Sequence, residues 1–130
     1  MPPSRTTDLV LLLLRLCFGG LMLLNHGWPK ASKLMSGDYG FPDPLGIGSL
    51  ASLSLATFAE VLCAFLLVIG LFTRVAVVPL IITMLVAVFI QHWGDPFQKM
   101  ESGLLFLIPY ICLLLKGPGT YSVDGALGRV

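Results

Sequence analysis

Charge is scarce in this sequence. Of 130 residues only 12% are Asp, Glu, Lys or Arg, while 56% are hydrophobic and the mean hydropathy is +0.91. A soluble domain carries about a quarter charged residues and under half apolar ones, so that class is excluded. Eight basic residues against seven acidic ones leave a net charge of +1. No basic stripe exists that could track phosphates, which argues against a nucleic-acid partner. Cysteine is scarce too: Cys17, Cys63 and Cys112 stand apart with no Cys-x-x-Cys among them. That excludes a disulfide framework or a thioredoxin-type motif, and free cysteines in apolar runs are expected to act as packing residues. The first apolar run is followed by Asn-His-Gly-Trp instead of a small-x-small site, so no cleavable leader is expected. A metal centre is not expected either, because His26 and His92 have only glutamates as a third ligand, and no Glu-x-x-His spacing occurs.

What is present is apolar sequence in four long runs. They cover about residues 8–27, 50–72, 75–93 and 101–116, each near the ~20 residues that a membrane-crossing helix needs. These runs predict an all-α, polytopic membrane protein: a four-transmembrane-helix bundle forming one integral membrane domain over 1–130. Thr7 or Asp8 is the expected cap of the first helix. Pro109 falls at the centre of the last run, where a kink is expected. Runs two and three are joined by almost nothing and predict a tight antiparallel pair. Runs one and two are separated by a long loop containing Tyr39, Phe41, Leu45 and Ile47, which reads as a partly ordered cap on one membrane face. Four spans put both termini and the tight turn on one side, here side A, and the long loop on side B. Arg5, Arg74, Lys116 and Arg129 flank the spans on side A against Lys30, Lys33 and Lys99 on side B, so the positive-inside rule leans to cytoplasmic termini. The stretches NHGWPK and QHWGDPFQK form a weak internal echo, as two fused helical hairpins would.

Ionisable side chains inside a span cost about 2.5–3.5 kcal/mol on insertion scales, so each calls for a partner. Arg15, Glu60 and Glu101 fall in or at the edge of the runs. At ~1.5 Å per residue Arg15 lies about 10 Å from side A and both glutamates roughly 21–23 Å from it. One long arginine and a glutamate could just close that gap, although one arginine cannot neutralise two carboxylates. His26 returns to within about 20° of the Arg15 face. The expected result is one interior seam. It is dry at side A and polar at side B, where Asn25, Gln91 and His92 join His26, Glu60 and Glu101. The seam is either a structural charge network or a functional site for protons, redox chemistry or a ligand.

The residues also resemble a known family. Arg15, Leu16, Gly19, His26, Gly27 and Lys30 follow the form R-L-x-x-G-x-x-x-x-x-x-H-G-x-x-K. Glu60 is followed by the Gly70-Leu71-x-Thr73-Arg74 turn. Glu101 opens the last span, and Gly117, Gly119, Ser122 and Asp124 form a G-x-G-x-x-S-x-D tail. Together these are similar to the DoxX family of small bacterial four-helix membrane proteins, over almost the whole chain. The resemblance implies a bacterial inner-membrane location and an accessory role in membrane redox, quinone or thiol-stress biology, with quinone the cofactor class to consider. The expectation is therefore an accessory protein with a polar intramembrane site for a small amphipathic ligand. The alternatives are a catalytic subunit of a quinone-linked oxidoreductase and a membrane assembly or chaperone partner. Expected partners are the lipid bilayer, a redox-enzyme protein and further copies of the chain. The family supplies no agreed catalytic residue, so the site residues rest on their physics alone.

Overall fold

The computed structural model describes residues 4–129, and among these no strand occurs. Four helices are long and apolar enough to cross a membrane: α1 (Arg5–Ser36), α2 (Ser49–Ile69), α3 (Thr73–Gln91) and α4 (Phe97–Lys116). A short α5 (Val123–Ala126) follows in the tail. Within the most apolar stretch of each long helix only 17–33% of residues are buried. The outward leucines, valines and phenylalanines are therefore a bilayer-facing surface, since a soluble monomer does not expose apolar patches of that extent.

Helix α1 begins earlier and ends later than its apolar run. Ser4 is the cap, its hydroxyl accepting from Thr7 N at 3.0 Å. Asp8 instead accepts from Thr120 N at 3.1 Å. The helix continues through Pro29 to Ser36, where Gly37 ends it at φ 78°. Pro29 is tolerated because the preceding turns, Met22–Gly27, are wound as π-helix, with Trp28 N bonded to Leu23 O. Wide i→i+5 turns are a regular way of absorbing a missing amide. At ~1.5 Å per residue a helix of this length is about 48 Å long, more than the ~30 Å hydrocarbon core, so its last turns stand in the side B interface. The NHGWPK stretch is therefore mid-helix, whereas His92–Pro96 leaves the helix altogether. The two echoing stretches thus differ in local structure.

Helix α4 runs unbroken across Pro109 to Lys116. The helices approach closely where glycine removes a side chain. A Cβ on Gly19 would lie 2.9 Å from Val68 Cγ2 and 3.2 Å from Ala64 O, and one on Gly27 would overlap the Glu60 carbonyl. Small residues at crossings are how bilayer helices gain contact. The core between them is built from Leu11, Met22, Cys63, Leu67, Leu80 and Tyr110, among others. Cys63 packs as expected, while Cys17 and Cys112 are exposed on the outer surface.

Candidate functional site

The polar residues divide into two centres. At side A, Arg15 is 1% exposed, and among the described residues it forms no ion pair with a carboxylate. Its guanidinium donates to three backbone carbonyls: Nε to Pro118 O at 3.0 Å, Nη1 to Val68 O at 3.0 Å, and Nη2 to Tyr121 O. Val68 lies in the last turn of α2, where carbonyls have no helical partner and carry the negative end of the helix dipole. Arg74 does the same for α4, donating to Leu114 O at 3.1 Å and Leu115 O at 3.4 Å. The tail motif supplies the rest of the lock. Asp124 N donates to Gly70 O at 2.8 Å, and the Asp124 carboxylate accepts from Phe72 N and Thr73 N, each at 3.0 Å. Gly70 sits at φ 73°, and a Cβ there would meet Arg15 Nη1 at 2.6 Å, so glycine is required on both counts.

At side B lies a cavity of about 380 Å³, lined by all four long helices and the 37–48 loop. That volume falls in the ~300–1,000 Å³ range of small-ligand sites. Three of the helices present a row at i, i+4 spacing: Met22, His26 and Lys30 on α1; Ser52, Ala56 and Glu60 on α2; Thr83, Ala87 and Gln91 on α3. Phe106 of α4 closes the inner end, edge-on to His26 with 5.4 Å between ring centroids. Phe41, Pro42, Leu45 and Ile47 of the loop cover the outer end. The loop is ordered around Asp43, whose carboxylate accepts from Gly48 N at 2.8 Å, Ile47 N at 3.0 Å and Ser52 Oγ at 2.8 Å.

The ion pair of this cavity is Lys30 with Glu60. Lys30 Nζ lies 2.9 Å from Glu60 Oε1 and donates a longer bond to His26 O at 3.3 Å. The side chain of Glu60 is 3% exposed and that of Lys30 20%. Thus Glu60 is held by Lys30, not by Arg15. Of the residues nominated from sequence, His26, Glu60, Gln91 and His92 line this cavity, with His92 also 3.1 Å from Asp95. Arg15 lies apart in the side A lock. Asn25 and Glu101 are exposed and line neither centre. Lys30 was the residue missed. Its i+4 spacing from His26 is visible in the sequence, but the first apolar run ends at about residue 27, which leaves Lys30 outside the span. The four π-wound segments of the bundle hold Arg15, His26, Glu60 and Gln91 respectively. Such turns are frequent at functional positions.

Fold and site together define a small membrane protein whose four helices are locked at one end and enclose a ligand-sized chamber at the other. The chain matches the DoxX family over residues 10–93 and belongs to that family. It is also similar to an uncharacterized membrane protein of Mycobacterium tuberculosis (strain ATCC 25618 / H37Rv), with 31% identity covering 85% of this chain and 77% of the relative. No solved structure matches it.

Proposed function

We propose that the protein is an accessory component of the bacterial inner membrane in redox, quinone or thiol-stress biology, acting as one integral domain that holds a small amphipathic ligand in the side B cavity. The observation that carries this reading is the chamber itself: mostly apolar walls, with Lys30, Glu60, His26 and Gln91 among the few polar groups of its lining. Apolar walls with a few placed polar groups are what ligand sites have in common. Quinone is the ligand class that family resemblance brings. The termini are cytoplasmic in this reading, supported by the four basic side A residues against three on side B.

The test is a titration of purified protein in nanodiscs with decylubiquinone, beside the variant Ala87→Phe, which fills the chamber from α3. Saturable binding lost in the variant is expected. Absence of binding, or binding indifferent to Ala87→Phe, would sink the reading. A catalytic role as a quinone-linked oxidoreductase subunit is favoured by one observation, the gathering of His26, Glu60 and Lys30 where protons can be held and passed. It requires electron transfer from a donor to quinone by the purified chain. An assembly role, through the 37–48 loop, instead requires a stoichiometric protein partner that deletion of the loop releases.

A further inference from the structure

The polar end of the side B cavity is not neutral in what it offers. Two cations, Lys30 and Lys99, line it against one anion, Glu60, so with the histidines counted neutral it carries one excess positive charge. The geometry sharpens this. Of the ion pair, the carboxylate is the withdrawn member at 3% exposure and the ammonium the accessible one at 20%. An ammonium has three donor hydrogens. Glu60 Oε1 and His26 O take two, leaving one.

Other acceptors and donors in the wall are unequal as well. The hydroxyl protons of Thr83 and Ser52 are engaged by Pro79 O at 2.7 Å and by Asp43 at 2.8 Å. The Gln91 amide and the Ser102 hydroxyl remain as neutral polar groups of the lining. The wall elsewhere is Met22, Phe106, Val86, Leu55 and the apolar loop residues. A cavity with spare donors, one spare positive charge and apolar walls is complementary to an ionised head on a hydrocarbon body.

Resting on the ligand-cavity reading above, we infer that the chamber selects single-chain amphiphiles with an ionised carboxylate head, which docks on Lys30 while the chain lies along Phe106 and Met22. The carboxylate takes the third Lys30 hydrogen without displacing Glu60, and Lys99, the second cation of the lining, offsets the added negative charge. An uncharged head of the same length receives hydrogen bonds but none of the charge complementarity.

The test compares laurate, 1-dodecanol and decylubiquinone binding to the full chain in zwitterionic nanodiscs at about pH 8, where a fatty carboxylate in water is ionised. Laurate is expected to bind about tenfold or more tighter than dodecanol, the difference of one charge-assisted hydrogen bond. In a Lys99→Met background, Lys30→Met combined with Glu60→Gln, which removes both remaining charges together, should level the two, while Lys30→Arg should keep the preference. Dodecanol binding as tightly as laurate, or a preference that survives in the triple variant, would overturn the inference. The wild-type comparison decides even if the triple variant does not fold. Decylubiquinone bound without any laurate preference overturns the head-group assignment and leaves the cavity reading standing. No binding of any of the three overturns both.

Discussion

Arg15 Nε donates to Pro118 O at 3.0 Å, joining side chain and backbone 103 residues apart in sequence. The charge inside the first span thus holds the tail of the chain against the end of α2, through carbonyls rather than through an acid. This changes what its removal should do.

Arg15→Leu is expected to destabilise the protein by about 3 kcal/mol or more, since buried carbonyls lose donors at about 1–3 kcal/mol each. Adding Glu60→Gln and Glu101→Gln should give no recovery, because neither carboxylate is its partner. Thermal unfolding in detergent measures both, and protease sensitivity of residues 117–129 should rise in step. Recovery in the triple variant would show that the three charges are coupled after all.

The Lys30–Glu60 pair should behave in the opposite way. Lys30→Met alone leaves Glu60 buried and unpaired, at an expected cost of about 3–5 kcal/mol, and Glu60→Gln added to it should return much of that loss. A double-mutant cycle read by unfolding midpoints gives the coupling. A coupling near zero would mean that the pair does not hold at side B.

Two glycines on α1 make a controlled comparison. A Cβ at Gly27 overlaps the Glu60 backbone carbonyl, so Gly27→Ala must push α1 from α2 and should lower stability by several kcal/mol. At Gly20 nothing lies within 4 Å, and Gly20→Ala should be neutral or stabilising by about 0.5–1 kcal/mol. Melting temperatures of the two variants in the same detergent decide it.

The tail lock should be sensitive to acid. Burial pushes the Asp124 carboxyl up, but the backbone N–H groups of Thr73 and Phe72 and the nearby Arg129 bring it, on balance, below its usual 3.8. A depressed carboxylate contributes stability that is present above its unfolded value and lost as pH falls through the folded one. Protease protection of the tail should therefore be flat near neutrality and fall only below about pH 4. Asp124→Asn should loosen the tail at neutral pH and flatten that acid response.

The first half of the loop's story was legible and the second was not. Apolar residues between Gly37 and Ser49 pointed to an ordered cap, and Asp43 does order it. That Phe41 and Leu45 would roof a chamber depended on where α1 stopped. Ending the first span with its apolar run at about residue 27 places the helix end nine residues before Ser36, because the π-wound turn that carries the helix past Pro29 leaves no periodic mark in sequence. Glu101 and Asn25 illustrate the same limit: depth can be counted along a helix, but rotation about its axis depends on neighbours.

What the sequence by itself determined was the solvent and the architecture. Hydrophobic runs of span length leave the backbone no option in a bilayer but helices, and their number and spacing set four antiparallel spans with a loop at side B. Only the tertiary structure decided which charge meets which. Arg15 goes to carbonyls because the tail folds back over it, and Glu60 goes to Lys30 because Gly27 lets α1 and α2 touch at that level. Pairing is a matter of ångströms between helices, and that information lies in packing rather than in spacing along the chain.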